Sequence, residues 1–112
     1  MTLIDRQFAD LVDVFAHEPG VSTPDEPGRR GFGALSLKVN GAIFATLSQG
    51  RLVVKLPGGR VAALIDARTG EAFDAGKGRP MKEWVIVTDE DPATWLTFAR
   101  EALSFVGSRS RR

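Results

Sequence analysis

The chain has 112 residues, 43% of them hydrophobic, and a net charge of +1, which is the composition of one ordinary globular domain. It contains no cysteine, which excludes disulfides, thiolate catalysis, iron–sulfur clusters and zinc sites built on cysteine. Aspartates interrupt residues 1–15, so no signal peptide is predicted, and no apolar run approaches the ~20 residues that span a bilayer. We therefore expect a cytoplasmic protein with no membrane partner.

The charge is unevenly distributed along the chain. Residues 1–26 contain six acidic and one basic residue, residues 27–82 contain ten basic and three acidic, and residues 83–112 contain five acidic and four basic. Such asymmetry is typical of a surface for an anionic partner, but lysines and arginines on the solvent face of a sheet give the same pattern. The solvent-face interpretation is favoured because the total charge is near neutral, whereas nucleic-acid-binding domains are usually more basic.

Residues 3–17 are predicted to form an amphipathic helix, because apolar residues recur at the spacing of one helical face. These residues are Ile4, Phe8, Leu11, Val12 and Phe15. Pro19-Gly20 is expected to end the helix. The segment 18–33 has three prolines and four glycines and is predicted to be a linker without regular structure.

Three strands are predicted next, over residues 35–39, 42–47 and 51–56. Asn40-Gly41 joins the first two, and this pair favours a type I′ hairpin turn. The second strand is predicted to place three apolar residues on one face: Ile43, Ala45 and Leu47. The third alternates inward apolar residues with outward cations: Leu52, Val54 and Leu56 against Arg51 and Lys55. A sheet with one apolar face requires a helical cover.

The pattern then predicts a short helix over residues 60–68, a short strand over 72–74 and a loop over 75–80. A further strand is predicted over 82–87, in which Trp84 and Ile86 face opposite to Val85 and Val87. A strand that is apolar on both faces is expected at a central position in a sheet.

The final helix is predicted to begin at Pro92, with Asp91 as its N-cap. It is apolar around most of its circumference, so we expect it to pack on more than one side or to form part of an oligomer interface. The complete order is α-βββ-α-ββ-α, an α+β fold with an antiparallel sheet of about five strands and flanking helices. Residues 1–107 are predicted to form one domain, and residues 108–112 are predicted to be a disordered basic tail. The final helix is expected to end before residue 107, and residues 107–112 are expected to be frayed.

His17, the only histidine, lies four residues after Asp13 on the predicted first helix. The pair could form a carboxylate-oriented general base, or His17 could be a cation near a helix C-terminus, where the helix dipole favours it. The second interpretation is favoured because no recognisable motif ties a nucleophile to this pair.

Two glycine-rich segments were considered as phosphate-binding loops and one acidic run as a calcium loop. The spacing of the residues disfavours all three functions. Residues 28–33 precede a strand rather than a helix, and residues 70–78 lack both the spacing and the hydroxyl residue of a phosphate-binding loop. Residues 89–91 are consecutive acids, which fit the start of a helix better than a calcium loop with alternating ligands. We therefore predict no catalytic, metal or cofactor site and no enzymatic activity.

The candidate partner-binding residues are the basic residues of the central segment. They are Arg29, Arg30, Lys38, Arg51, Lys55, Arg79 and Lys82. No zinc finger, helix-turn-helix or RNA-recognition motif accompanies them, so contact with a nucleic acid would run mainly through phosphates.

Residues 32–45 (FGALSLKVNGAIFA), 51–57 (RLVVKLP) and 78–85 (GRPMKEWV), with the final helix around Trp95, resemble the TfoX/Sxy N-terminal domain family. That family belongs to a wider group of YjbR/MmcQ-like α+β domains. The resemblance covers roughly residues 5–106, and residues 79–84 are its most specific part. The positions to test first for function are Phe32 with its flanking glycines and residues 79–84. Structural roles in turns, at a strand start and in the core are nevertheless favoured over functional ones there, and Trp84 is expected in the core.

The resemblance implies a domain without catalytic residues, since the better-known members of the family are positive regulators of competence genes. We therefore expect a bacterial-type regulatory or adaptor domain that acts through protein or nucleic-acid partners. The alternative is a self-associating structural or ligand-sequestering module, with the final helix or a sheet edge as the interface of a homodimer.

Overall fold

The computed structural model describes residues 3–23, 36–74 and 82–110. Within these ranges, three helices and one six-stranded antiparallel sheet form an α+β fold, as predicted. The helices are α1 (Leu3–Phe15), α2 (Gly58–Asp66) and α3 (Pro92–Ser110). The strands are β1 (Val21–Ser22), β2 (Ser36–Val39), β3 (Ala42–Ser48), β4 (Arg51–Lys55), β5 (Gly70–Ala72) and β6 (Trp84–Val87), in the spatial order β1-β2-β3-β4-β6-β5.

The three helices pack on the same face of the sheet. Leu37, Ala45, Val54 and Val85 pair with one another across β2, β3, β4 and β6, and all four belong to one buried apolar cluster. The buried residues of the helices belong to the same cluster: Phe8, Leu11, Phe15, Val61, Leu64, Trp95, Ala99, Ala102 and Val106. The sheet therefore has one helix-covered face and a second face over which no described helix packs.

A β-bulge decides which residues of β3 face the helices. Leu37 pairs with Ala45, but Lys38 pairs with Ile43, so Phe44 is an extra residue in the ladder. Phe44 is fully buried, and its ring lies edge-on to that of Phe15 with 5.8 Å between the centroids. The prediction that Ile43 faces inward is therefore wrong: Ile43 lies beside Lys38 on the second face and is outside the buried cluster.

The segment predicted to be an irregular linker contains a strand. α1 ends at Phe15, earlier than predicted, because the amide of Glu18 donates to the carbonyl of Phe15 and closes a turn. The chain then enters β1, where Val21 pairs with Val39, and this pairing adds the sixth strand. Residues 24–33 of the predicted linker lie outside the described residues.

The connection between α2 and β5 differs from the prediction by two residues. α2 ends at Asp66, and Arg68 adopts a φ of 63°, which turns the chain into β5 at residue 70 rather than 72. Gly70 is required by close packing, because a Cβ atom there would lie 2.5 Å from Cγ2 of Val85 and 3.2 Å from Cβ of Leu64. The predicted loop over residues 75–80 lies outside the described residues.

β6 and α3 complete the fold. β6 begins at Trp84, after a turn at residues 82–83, and lies between β4 and the edge strand β5, so it is an interior strand but not the central one that was predicted. α3 continues to Ser110, so the prediction of a frayed or disordered tail is wrong for residues 107–110. Arg109 anchors this last part of the helix: Nη1 lies 2.9 Å from Oε1 of Glu83, and the guanidinium lies 5.1 Å from the centroid of the Phe105 ring.

The bulge can be tested by comparing two neighbouring truncations. We expect Phe44→Ala to lower the free energy of unfolding by about 3–5 kcal/mol, because it empties a fully buried site. Ile43→Ala, at a half-buried position on the other face, should cost less than half as much. Urea unfolding of both variants measures the difference, and a larger loss for Ile43→Ala would contradict the assigned register.

Candidate functional site

The second face of the sheet carries the predicted basic residues of β2 and β4. Side chains alternate between the two faces of a strand. Lys38 lies between the buried residues Leu37 and Val39, so it faces away from the helices. Lys55 lies between Val54 and Leu56, both fully buried in the cluster, so it also faces away from them.

Pairing places each of these lysines beside an apolar residue at the same end of the second face. Lys38 pairs with Ile43, and Lys55 pairs with Trp84. Both pairs lie next to the inward-facing row of Leu37, Ala45, Val54 and Val85, at the same end of the sheet. We call Lys38, Ile43, Lys55 and Trp84 the basic row. Since neighbouring strands lie about 4.8 Å apart, the row extends about 14 Å across four strands.

The basic row combines cations with an aromatic ring. Nζ of Lys55 lies 5.6 Å from the centroid of the Trp84 ring, within the range of a cation–π interaction. Lys38 is exposed, whereas Lys55, Ile43 and Trp84 are half-buried. The Lys55 ammonium therefore lies beside the half-buried Trp84, and Lys38 is exposed two strands away from Lys55.

A buried row separates the basic row from the opposite end of the second face. Ser36, Thr46 and Val53 pair across β2, β3 and β4, and each is at most 3% exposed. The Ser36 hydroxyl lies 3.0 Å from the Thr46 hydroxyl and donates to it, which satisfies both groups.

The cation at the opposite end is neutralised. Arg51 lies on the second face, but its Nη2 is 3.0 Å from Oε2 of Glu71 on β5. No described carboxylate forms an ion pair with Lys38 or Lys55. Among the described residues, the cations of this face that have no carboxylate partner therefore lie in the basic row.

The structure brings together only part of the predicted set of basic residues. Lys38 and Lys55 share the basic row, and Lys82 is exposed in the turn two residues before Trp84. Arg29, Arg30 and Arg79 lie outside the described residues. Trp84 belongs to the block 79–84 that was to be tested first, but its favoured role in the core is wrong, because it is half-buried and outside the buried cluster. The alternation of Trp84 with the buried Val85 was the available signal, since one of the two had to face away from the helices.

His17 does not lie on the helix that was expected to hold it. α1 ends at Phe15, and His17 lies in the following turn with an exposed side chain. Asp13 is exposed on the last turn of α1. The pairing across one helical turn, on which the general-base interpretation depended, is therefore lost.

The acidic residues before α3 serve the helix N-terminus, as predicted. Oδ1 of Asp91 accepts from the amide of Ala93 at 2.8 Å, and Oδ1 of Asp89 accepts from the amide of Asp91 at 3.0 Å. The Thr94 hydroxyl donates to Oδ2 of Asp89 at 2.8 Å. The hydrogen bond from the Asp91 amide, and then that from Thr94, lower the pKa of Asp89.

Residues 3–23, 36–74 and 82–110 contain no group of three or more histidine or acidic side chains placed to hold a metal ion. Their helices are all too short or too polar to cross a membrane. In comparisons with known proteins, no protein-family model matches the chain, and no curated protein or solved structure is significantly similar to it.

The cap at α3 predicts a dependence of stability on pH. Because the pKa of Asp89 is lower in the folded state, its ionised form stabilises the fold above the ordinary aspartate range. This contribution is lost as the pH falls through the lower folded value. We expect the stability advantage of the wild type over Asp89→Asn to shrink on acidification through this range, measured by urea unfolding at a series of pH values. Asp10→Asn, at an exposed position on α1, is the control, and an Asp89→Asn difference that does not change with pH would contradict the assignment.

Proposed function

We propose that this protein is a non-catalytic regulatory or adaptor domain of the TfoX N-terminal type, which acts by binding nucleic acid through the basic row. The observation that carries the proposal is the shared position of Lys38 and Lys55 on one sheet face, without a described carboxylate to neutralise them. Lysine ammonium groups are phosphate-binding groups, and phosphate contacts supply most of the affinity of non-specific nucleic-acid binding.

Two cations on the helical side of the sheet, Arg60 and Arg109, are already paired with carboxylates. Nε of Arg60 lies 2.8 Å from Oε2 of Glu101, and the Arg109 guanidinium forms an ion pair with the Glu83 carboxylate. These arginines also lie over phenylalanine rings of α3; Arg60 connects α2 to α3, and Arg109 connects α3 to the turn before β6. Cations that are already paired with carboxylates offer less to an anionic partner than the two lysines of the basic row do.

The use of the acidic residues supports a non-catalytic function. Asp89 and Asp91 hold the start of α3, while Glu71 and Glu101 pair with arginines. These carboxylates are occupied by structural contacts at separate places in the fold. The cysteine-free sequence is in keeping with action in the cytoplasm.

The described surface gives less support to the self-associating alternative. The apolar residues of α3 that were candidates for an interface are instead packed against the protein's own core, either fully or in part. Among the described residues, the large hydrophobic side chains that remain exposed are Val14 at 44% and Ile65 at 37%. They lie on different helices, α1 and α2, and neither belongs to α3.

The proposal predicts salt-dependent binding that the basic row controls. We expect binding of a fluorescently labelled oligonucleotide to weaken steeply between about 50 mM and 200 mM salt, because each phosphate contact releases counterions. Lys38→Gln and Lys55→Gln should each reduce the slope of log affinity against log salt by about 1.

Arg6→Gln is the matched control, because it removes the same charge from an exposed position on α1 in the helical layer. It should leave the slope unchanged. Equal effects of all three substitutions would contradict the basic row as the binding surface. The absence of binding to both duplex and single strands at about 50 mM salt would contradict the proposed function itself.

A further inference from the structure

We propose that the basic row prefers single-stranded nucleic acid to duplex, with Trp84 as the surface on which a base stacks and Lys38 and Lys55 as the phosphate contacts. This inference rests on the function proposed above and specifies its ligand.

The two tryptophans of the chain have different environments. Trp95 is 1% exposed, and its Nε1 donates to the carbonyl of Asp89 at 2.9 Å, so its ring and its polar atom are both used by the fold. Trp84 is half-buried on the second face, outside the helix-facing cluster. An accessible aromatic ring on a sheet face is the feature on which proteins stack unpaired bases.

Lys55 connects the aromatic ring to the charge. Its Nζ lies 5.6 Å from the Trp84 ring centroid, so a phosphate held by Lys55 brings the adjoining base close to the ring. The lysine side chain has a flexible four-carbon stem, so its ammonium can leave the ring and turn to a phosphate. Lys38 lies at the other end of the basic row, two strands away, where it can contact a second phosphate of the same strand.

The shape of the surface favours single strands over duplex. Reading a duplex requires a helix or ribbon that enters a major groove about 12 Å wide, and the described helices all pack on the opposite face. In a duplex the bases are stacked on one another and are not available to stack on a side chain of a sheet face. A single strand can turn a base onto Trp84 while its phosphates remain at the lysines.

The test compares three labelled ligands of equal phosphate number at low salt: an oligothymidylate, a duplex, and an abasic oligonucleotide that keeps the phosphates without the bases. We expect the wild-type protein to bind the oligothymidylate about tenfold or more tightly than the abasic strand, which is the usual size of one stacking contact. It should also prefer the oligothymidylate to the duplex. This comparison uses only the unaltered protein, so it does not depend on any variant folding.

Three variants then assign the preference to the ring. Trp84→Leu should lower oligothymidylate affinity to the level of the abasic strand, and Trp84→Phe, which keeps an aromatic face, should retain most of it. Ile86→Leu is the control, because residue 86 follows on the same strand and faces the same way. It should change the affinity less than twofold.

The outcomes separate this inference from the function on which it rests. Equal binding of all three ligands, or tighter binding of duplex, overturns the single-strand preference and leaves the proposed function standing. Failure to bind any of them at low salt overturns both. Displacement of the oligothymidylate by polyglutamate, with Trp84→Leu as tight as wild type, identifies an acidic protein surface as the partner and also overturns the stacking proposal.

Discussion

The pairing of Leu37, Ala45, Val54 and Val85 across four strands is the constraint on which the rest of this structure depends. These residues lie beneath the helices, and their register decides the direction of every other side chain in the sheet. A slip of one residue in a strand would exchange its two faces. The burial of the inward row therefore holds Lys38 and Lys55 on the opposite face, so the apolar core determines where the positive charge is presented.

The two layers of the molecule use charged and aromatic residues in different ways. In the helical layer, Arg60 and Arg109 each combine a carboxylate partner with an aromatic ring and thereby join separate elements. On the second face, Lys55 has an aromatic neighbour but no described carboxylate partner. A cation that lies beside a ring and has no described carboxylate partner is suited to recognise an anion that carries its own aromatic group, which describes a nucleotide.

Much of the fold could be predicted because local chemistry determines it. Asn40 and Gly41 have φ values of 52° and 85°, as the predicted type I′ hairpin requires. The bulge could not be predicted, because the alternation in β3 allows either Ile43 or Phe44 to face inward. Contact of Phe44 with Phe15, which is distant in sequence, decides between them. Trp84 was expected in the core for a related reason, since only the paired sheet shows which side of β6 the helices cover.

The most direct measurement is a ¹H–¹⁵N NMR titration of the protein with a short oligothymidylate, because the chain has two indole N–H signals that report separately on the two faces. We expect the signals of the Trp84 indole and of the Lys38 and Lys55 amides to shift together and in a saturable way. The indole of Trp95, buried against the start of α3, should stay in place. Shifts confined to the helical layer, with the Trp84 indole unmoved, would contradict the assignment of the second face as the binding surface.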